Sequence, residues 1–500
     1  MRSSTNYSDE IVAANTDIQS ASGLIWQLET APPAKAYVGS GTAILVSGWC
    51  YSKRAVISAL EIVAGTKTFR VRNQSWARPD VLRNQCPIAD QTGNSLMSGF
   101  RAIVPIEEVA EPERLPLRLR ATLRGGETID APVGQVQLLP GIGAQPTQVE
   151  WPGAGPRVVI CMTTYDPPFE LFDIQVRSIQ EQRHTNWVCI VSDDHSPLGA
   201  FEKICDRLKA DKRFHVFRNA ERLGFYHNFE SCLKRIPLDA EFVALSDQDD
   251  RWNPDKLDKL LAAFDQETQL VYSDARIVAP NGQVRSDTFW TGRDNNYTDL
   301  SALIVANTIT GAASVFRASL VPEILPFPKP IGHAFHDHWI GLTALVKGKI
   351  GYIDQPLYDY VQHSANVIGH KYGNVPGLIA AVRQVALAAR DRNRLYLLIR
   401  NILQRALENY ELVVQKIFLA RVLLMRFPKA PGQKRAILKR FARFENSITA
   451  AVQEKLLALV HRRPTLNYEG LLLYSTAIMR LRNTAFRYLK KKLVLRQLRG

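Results

Sequence analysis

Short apolar runs alternate with longer helical patterns between residues 158 and 274, and this alternation restricts the possible fold more than any other feature of the chain. Strands are predicted at residues 158–162, 187–191, 214–217, 242–245 and 270–274. Helices are predicted between the first four of these strands, at residues 169–182, 198–210 and 226–235. Strands that alternate with helices in this way indicate a doubly wound, mostly parallel sheet.

Polar residues directly follow three of the predicted strands. They are Thr163, Thr164 and Tyr165 after the first strand, Asp193 and Asp194 after the second, and Asp247, Asp249 and Asp250 after the fourth. The carboxyl ends of parallel strands meet at one edge of a sheet, where open α/β sheets bind their ligands. We therefore expect these side chains to converge on one crevice.

The carboxylates of Asp247, Asp249 and Asp250 fall within four consecutive positions, and their mutual repulsion makes burial costly. A divalent cation that bridges carboxylates to phosphate oxygens relieves such repulsion. Neither a Gly-x-Gly-x-x-Gly loop nor a Gly-Lys-Ser/Thr loop follows the first strand, so phosphate is expected to be held through metal. The cluster predicts an enzyme that handles a nucleotide diphosphate, with Asp250 as the cap of the helix that opens near Asn253.

The rest of the chain divides by composition into segments on either side of this α/β region. They are a polar N-terminal segment at residues 1–21, a β-rich, sandwich-like domain at 22–140, a Pro/Gly linker at 141–156, the α/β domain at 157–370, and a basic α-helical region at 371–500. The β-rich domain has two interpretations. It is either a structural or docking module, or it contacts carbohydrate through Trp49 and Trp76.

Basic charge is concentrated in the C-terminal region. The chain has a net charge of +15, and residues 371–500 hold 27 Lys+Arg against 6 Asp+Glu. Because a nucleic-acid enzyme more often carries such charge around its active site, nucleic acid is not an expected partner. Residues 487–493 mix apolar and basic side chains as membrane-surface helices do, which predicts peripheral association with an anionic membrane. A helical bundle with a solvated cationic face, or a dimerisation element that makes a homo-oligomer, is the alternative.

No sequence pattern predicts export or a membrane span. No run of about 18 apolar residues occurs, and the polar N-terminus lacks the basic start and apolar core of a secretory signal. The six cysteines show no metal-ligand spacing and are predicted to be buried thiols in a reducing compartment. We expect a cytoplasmic protein, at the inner face of the cell membrane.

Several motifs in the α/β region resemble those of a known enzyme family. The sequence Leu-Ser-Asp-Gln-Asp-Asp-Arg-Trp at residues 245–252, followed by Lys256 and Leu257, is similar to the central motif of family 2 glycosyltransferases of GT-A fold. Residues 358–369 resemble a further signature, and the bacterial rhamnosyltransferase-like subgroup is the most similar. The resemblance covers residues 157–370 and implies transfer of a sugar from a nucleotide-diphosphate donor to a saccharide or lipid-linked acceptor.

The resemblance also implies roles for individual residues around the donor. The nucleotide would be bound by Thr163, Thr164, Tyr165, Asp194, Asn228 and Asp247. Within this set, Asp194 would accept the N3–H of uracil or thymine. Asp247 and Asp249 would form the D-x-D pair of the family and hold Mn²⁺ or Mg²⁺. His363 would complete the metal site or contact the diphosphate, with a purely structural hydrogen bond as an equal alternative.

On the acceptor side, the resemblance implies a catalytic base in the segment 335–339. Asp337 would take the proton of the acceptor hydroxyl in an inverting reaction. Gly311, His336 and Trp339 would border the donor sugar and the acceptor. No Gln-x-x-Arg-Trp signature of processive synthases follows residue 339, which favours one sugar added per encounter.

Two other functions fit parts of the sequence. A nucleotidyltransferase also uses carboxylates at strand ends, but it should carry a basic, Gly-rich loop after the first strand. A non-catalytic glycan-binding or scaffold protein would depend on the β-rich domain and the basic C-terminal region. Nucleotide binding separates the scaffold from the enzymes.

Overall fold

The computed structural model describes residues 17–85, 89–290, 295–332, 334–363, 392–444, 447–461, 463, 465 and 468–499. These residues form a domain of two sheets, an α/β domain and a group of C-terminal helices. The signature predicted at residues 358–369 lies outside the described residues from residue 364 onward.

The N-terminal domain is a sandwich of two five-stranded sheets. Its strands are β1 (Gln19–Ala21), β2 (Leu24–Thr30), β3 (Lys35–Tyr37), β4 (Thr42–Ser52), β5 (Ile57–Ala64), β6 (Lys67–Arg70), β7 (Asn73–Trp76), β8 (Gly99–Ile106), β9 (Glu113–Leu123) and β10 (Thr128–Leu139), with helix α1 (Pro79–Gln85) after β7. The sheet orders are β1-β2-β4-β8-β7 and β3-β10-β9-β5-β6. Apolar side chains of both sheets share one core, which confirms the predicted sandwich.

The α/β domain contains one nine-stranded sheet within the described residues. Its strands are β11 (Val158–Thr164), β12 (Trp187–Asp193), β13 (Phe214–Arg218), β14 (Phe242–Ser246), β15 (Arg251–Trp252), β16 (Thr268–Val278), β17 (Val284–Ser286), β18 (Ser314–Arg317) and β19 (Lys349–Val361). Its helices are α2 (Phe169–Gln180), α3 (Leu198–Leu208), α4 (Gly224–Leu233), α5 (Lys256–Ala262), α6 (Leu300–Val305), α7 (Val321–Ile324) and α8 (His336–Lys347). The order is β13-β12-β11-β14-β18-β16-β19-β15, with β17 paired to β16.

The four strands β13, β12, β11 and β14 are parallel neighbours, as the sequence predicts. Every residue of β11, β12 and β14 is buried, which explains why these strands are almost continuous apolar runs rather than alternating patterns. Strands β16 and β19 run in the same direction as β14, and only short strands run against them. The prediction of a mostly parallel α/β sheet is confirmed.

Four helices make up the described part of the C-terminal region and confirm its predicted helical character. They are α9 (Arg392–Arg426), α10 (Gly432–Phe441), α11 (Ile448–Val460) and α12 (Tyr468–Arg499). Helix α9 packs on the N-terminal sandwich, where Arg101 pairs with Glu411 at 2.8 Å and the ring of Trp76 meets the edge of Tyr410. No helix among the described residues is long and apolar enough to cross a membrane.

The buried guanidinium of Arg426, at the end of α9, joins all three parts of the structure. Its Nε donates to the carbonyl of Gly41 in the sandwich at 2.8 Å. Its two terminal nitrogens donate to the carbonyls of Glu323, Ile324 and Pro326 in the α/β domain at 2.7–3.0 Å. Burial lowers the pKa of Arg426 to about 10, so it remains charged at neutral pH.

Replacing Arg426 tests how far the domains depend on this contact. Arg426→Met leaves four carbonyls without their donor, and we expect a loss of about 3–5 kcal/mol, the usual cost of removing one member of a buried charged network. Arg426→Lys should recover little, because one ammonium cannot reach four carbonyls in a planar fan. Thermal unfolding measures both variants, and the exposed Arg435→Met serves as the control. Equal melting of Arg426→Met and Arg435→Met would contradict this role.

Candidate active site

The polar ends of β11, β12 and β14 lie against one another at the carboxyl edge of the sheet. The backbone N–H of Asp194 donates to the carbonyl of Thr164 at 2.8 Å. The amide of Gln248 pairs with the backbone of Tyr165, accepting its N–H at 2.8 Å and donating to its carbonyl at 3.2 Å. The structure therefore confirms that these strand ends converge, as predicted. Gln248 lies inside the acidic motif, yet the sequence analysis assigned it no role.

Two residues just beyond these strands have a left-handed backbone that side chains other than glycine rarely adopt. Asp166 follows β11 with φ 38°, and His195 follows β12 with φ 61°. Ser196 lies beside both turns, because its hydroxyl accepts the N–H of Asp166 at 2.9 Å and donates to Asp193 at 2.5 Å. Backbone strain of this kind concentrates at functional sites.

Tyr165 presents an aromatic surface at this edge of the sheet. Its side chain is 37% exposed, and the guanidinium of Arg222 lies 4.0 Å from the ring centroid. Thr163 precedes it, with its side chain 9% exposed. An exposed ring beside an exposed cation can stack with a planar base and attract phosphate. No sequence pattern indicated a role for Arg222, which lies in the loop before α4.

Asp194 lies at the start of α4 rather than open to solvent. Its carboxylate accepts the backbone N–H groups of Leu223 at 2.7 Å and Gly224 at 2.8 Å, and its side chain is buried. The carboxylate therefore satisfies the backbone N–H groups at the start of α4 and offsets the positive end of the helix dipole. A carboxylate has about four acceptor positions, so a further hydrogen bond to a nucleobase remains chemically possible.

Two residues predicted to bind nucleotide connect neighbouring elements of the structure. Thr164 is 1% exposed, and its hydroxyl donates to Asp193 at 3.1 Å. Asn228 is 2% exposed, donates to the carbonyl of Ser192 at 2.9 Å and accepts from Asn219 at the same distance. These side chains use their polar atoms to join strand ends to α4 beneath the crevice, and their contact with nucleotide stays a prediction.

The surroundings of the acidic motif disfavour the charged forms of its carboxylates. Burial, followed by the carboxylates of Asp249 and Asp337, raises the pKa of Asp247 to about 7, against a lowering effect of Lys256. Burial also raises the pKa of Asp249, although a hydrogen bond with His363 lowers it. His363 Nε2 lies 2.8 Å from Asp249 Oδ2.

Asp250 is not a helix cap, so that prediction is wrong. Its side chain is 1% exposed and accepts the backbone N–H of Val361 at 3.2 Å, whereas α5 begins later, after Asp255. Its second oxygen is buried with no hydrogen-bond partner among the described residues. Burial and the neighbouring carboxylates of Asp249 and Asp247 raise the pKa of Asp250 well above its usual range.

Lys256 supplies a buried positive charge behind the acidic motif. Its ammonium donates to the carbonyl of Ala312 and lies 3.4 Å from the ring centroid of Trp252. Burial lowers the pKa of Lys256 well below its usual range, while Asp250 and Asp247 raise it. In the sequence, Lys256 is identified only as part of a motif, and its position beside the carboxylates was not predicted.

A divalent cation fits the chemistry of Asp247 and Asp249. Oxygen ligands suit Mg²⁺ and Mn²⁺, and a cation would offset the repulsion that raises the pKa of Asp247 and the burial that raises the pKa of Asp249. No group of three or more potential ligands forms a complete metal site in the part of the chain that the structure describes. The arrangement therefore fits a cation held by one or two carboxylates together with donor phosphates, and His363 as a direct ligand stays a prediction.

Asp337 lies in the first turn of α8, where three donors orient its carboxylate. Oδ1 accepts the side-chain amide of Asn307 at 3.0 Å and the backbone N–H of His338 at 2.6 Å. Oδ2 accepts the N–H of Gly311 at 3.3 Å. Asn307 is a positioning residue that the sequence analysis missed, because nothing in the sequence relates it to a residue thirty positions later.

The other residues predicted around the sugars, Gly311, His336 and Trp339, are all buried. His336 is stacked on Phe229, and a Cβ at Gly311 would lie only 2.7 Å from its Nε2, so position 311 admits no side chain without movement. Burial lowers the pKa of His336 to about 3, and neither ring nitrogen has a hydrogen-bond partner among the described residues. Trp339 is 1% exposed and donates to the carbonyl of Ile324 at 2.8 Å, and its sugar contact stays a prediction.

Residues 159–325 match the model of a known family, described as Glycosyl transferase family 2. These residues form a family 2 glycosyltransferase domain. The resemblance inferred from the motifs and the GT-A type of α/β fold are thereby confirmed. The family 2 domain contains the strand ends and the acidic motif, whereas Asp337 and His363 follow the matched stretch.

The family 2 domain has a curated relative and several structural neighbours. TuaG of Bacillus subtilis (strain 168), a glycosyltransferase assigned to teichuronic acid biosynthesis, is 35% identical over 86 residues. That alignment covers 17% of this chain and about a third (33%) of the relative. TarS 1–349 of S. aureus is 18% identical, with a TM-score of 0.37 over 66% of this chain and 91% of TarS 1–349. PcManGT, a mannosyltransferase of Pyrobaculum calidifontis solved with GDP-Man and Mn²⁺, is 16% identical, with a TM-score of 0.32 over 67% of this chain and 91% of its own.

The pKa of Asp247 leads to a prediction about pH and metal. Because this pKa lies above the usual value, the folded state retains a proton that the unfolded state loses, and metal-free stability falls as pH rises from about 4 to 7. At pH 8, Asp247→Asn should therefore be more stable than wild type without metal by about 2 kcal/mol, and the difference should shrink toward pH 5.

Thermal unfolding with EDTA or with Mn²⁺ measures both effects. A bound cation needs ionised Asp247, so Mn²⁺ should stabilise the wild type more at pH 8 than at pH 6 and stabilise Asp247→Asn little. The comparison with Asp247→Asn removes the contribution of groups that titrate elsewhere, such as the buried imidazole of His336. A Mn²⁺ effect that is the same at both pH values would contradict the assignment.

Asn307 should affect catalysis rather than substrate binding. Asn307→Ala removes the side-chain donor to Asp337, and we expect kcat to fall about tenfold with little change in KM, because misplaced catalytic groups lose rate steeply. Asn307→Asp should be worse, since it places a carboxylate against a carboxylate. Steady-state kinetics would reveal these effects, and an Asn307→Ala variant changed only in KM would argue against the positioning role.

Proposed function

We propose that this protein transfers a sugar from a UDP- or dTDP-sugar to a saccharide or lipid-linked acceptor, with inversion at the anomeric carbon and divalent metal. One observation carries the proposal: Asp337 is close enough to Asp247 for its charge to raise the pKa of Asp247. This proximity supports a mechanism in which a base and a cation-binding motif serve one crevice. The family 2 domain supplies the reaction class.

Asp337 acts as the general base in this mechanism. One of its carboxylate oxygens takes the proton of the acceptor hydroxyl while that oxygen attacks the anomeric carbon. The bond from that carbon to the diphosphate breaks on the opposite face, and the nucleoside diphosphate leaves with the bonding electrons. Asn307 and Gly311 donate hydrogen bonds that hold the Asp337 carboxylate in place, so the base is already oriented for the reaction.

Asp247 and Asp249 serve the leaving group. They would hold a divalent cation, which would supply positive charge to offset the negative charge of the departing diphosphate. Arg222, beside Tyr165, adds a positive charge at the edge where the nucleotide would lie. The preference for uracil or thymine depends on Asp194, which would use an acceptor position left by the amides of Leu223 and Gly224.

His336 supports a sugar contact on the acceptor side. Its imidazole is neutral because burial lowers its pKa to about 3, so it has one donor and one acceptor nitrogen. Neither nitrogen is used by the described residues, although it is buried beside Gly311 and Asp337. A sugar hydroxyl both donates and accepts, and it would satisfy this ring.

The cellular role follows from chemistry and from the curated relative. TuaG is assigned to teichuronic acid biosynthesis, and we propose a comparable role in bacterial cell-envelope glycan synthesis. The lack of a Gln-x-x-Arg-Trp signature after residue 339 supports one sugar added per encounter. The positive charge of residues 371–500 supports a location at the cytoplasmic face of the membrane, where anionic lipids attract basic proteins.

The mechanism predicts distinct effects for Asp337→Asn and Asp249→Asn. Asp337→Asn should lower kcat by about 10²–10⁴ and leave metal-dependent nucleotide binding intact, because only the base is lost. Asp249→Asn should weaken nucleotide binding in the presence of metal. A screen of UDP-, dTDP- and GDP-sugars with Mn²⁺, Mg²⁺ or EDTA measures transfer, and calorimetry with UDP and dTDP measures binding.

Asp206→Asn is the matched control, since this exposed carboxylate pairs only with Lys209 on the surface of α3. Its activity should equal that of the wild type. Full transfer by Asp337→Asn would exclude the proposed base. Absence of nucleotide binding by the wild type would instead favour a scaffold protein.

A further inference from the structure

Helix α11 has one buried face and one exposed apolar face. Its buried face contains Ala450, Ala451, Glu454 and Ala458. On the other side, Val452 is 38% exposed, Leu456 56%, Leu459 59% and Val460 75%. Residues three, four and eight positions apart lie on the same side of a helix, so these four form a continuous apolar stripe. We call it the α11 apolar face.

Exposed apolar side chains are concentrated in the same region of the molecule. Of the 19 large hydrophobic residues exposed among the described residues, 11 lie between residues 392 and 499. Four are in the N-terminal half of α9: Tyr396, Leu397, Ile399 and Leu407. Helix α12 packs against both α9 and α11, so the exposed residues belong to one helical assembly. A continuous exposed stripe such as the α11 apolar face marks an interaction site, whereas single exposed leucines do not.

The membrane segment predicted from the sequence, residues 487–493, lies partly in a domain contact and partly in solvent, since Tyr488 is 88% exposed and Leu489 42%. Leu493 packs with Phe486 and Val494 against Leu82 and Leu96 of the N-terminal sandwich. The ammonium of Lys490 donates to Asn94 at 3.0 Å. One side of this end of α12 is therefore a contact between domains, and most of the exposed apolar side chains of the helical region lie on α11 and the first half of α9.

We propose that the α11 apolar face, with the exposed apolar residues of the first half of α9, binds the surface of an anionic lipid bilayer. The charge of residues 371–500, 27 basic against 6 acidic residues, complements anionic headgroups. It also disfavours a second copy of this chain as the occupant, because two such surfaces would repel each other. Leu and Val side chains beside basic residues are typical of helices that lie in the membrane interface.

The buried side of α11 connects this surface to the candidate active site. Glu454 pairs with Arg440 at 2.6 Å and with Arg463, and Arg463 pairs with Asp299 at 2.6 Å. Asp299 caps α6 by accepting the N–H groups at its start. Asn307, two residues beyond α6, donates to the candidate base Asp337.

A bilayer on α11 would therefore lie behind the acceptor side of the site. This inference rests on the proposed function, since a lipid-linked acceptor would gain from that placement.

Vesicle sedimentation of the full chain tests the surface. Vesicles of phosphatidylcholine with phosphatidylglycerol should bind the wild type in a salt-sensitive way, and pure phosphatidylcholine should bind it much less. Leu456→Gln with Leu459→Gln should weaken binding to the anionic vesicles at least tenfold. Leu238→Gln, at a site 84% exposed in the α/β domain, is the control and should bind as the wild type does. Val460→Trp should strengthen binding, which guards against an effect of misfolding.

Calorimetry with UDP and Mn²⁺ separates this inference from the proposed function. The Leu456→Gln, Leu459→Gln variant should keep the nucleotide affinity of the wild type, whatever that affinity is. Unchanged vesicle binding by this variant would overturn the membrane surface. Equal binding to both vesicle types would overturn the anionic partner. Conversion from dimer to monomer in light scattering, without a change in vesicle binding, would assign the surface to a second copy instead.

Discussion

The guanidinium of Arg426 is the contact on which the arrangement of the three parts depends. Its hydrogen bonds go to carbonyls of the sandwich and of the segment that precedes α8, so a single side chain from the helical region relates the two domains. The same guanidinium lies 5.2 Å from the ring centroid of Trp339, on the helix that carries Asp337. Trp339 thus belongs to the support of the site rather than to its surface.

The repulsion among the carboxylates at the crevice is partly offset by a positive charge buried behind them. Lys256 lies behind the carboxylates and partly offsets them, while its hydrogen bond to Ala312 fixes the turn whose first residue, Gly311, donates to Asp337. The proposed metal-binding carboxylates and the proposed base are therefore both connected to the buried ammonium of Lys256. Carboxylates with raised pKa values in a cleft are typical of sites that bind a cation or a substrate in order to become fully ionised.

Much of the fold was predictable because the buried parallel strands are continuous apolar runs, and such runs need no long-range information. Asp247 and Asp249 were predicted at the sheet edge for the same reason, since a strand end is a local feature, whereas Asp337 came from the family resemblance. Asp250 was misassigned because its partner, Val361, is 111 residues away. The supporting contacts of Thr164, Asn228 and Trp339 were not predicted, because a polar or aromatic residue near a site has the same sequence pattern whether it faces the ligand or supports the neighbours that do.

The contacts of the C-terminal helices also determine when the molecule can be completed during synthesis. The hydrogen bond from Arg426 to Gly41 spans 385 residues, and that from Ala77 to Asn483 spans 406. The sandwich is synthesised before its partners on α9 and α12. Its docking surface therefore stays uncovered until both helices have left the ribosome, and the three parts can join only after α12 has been made.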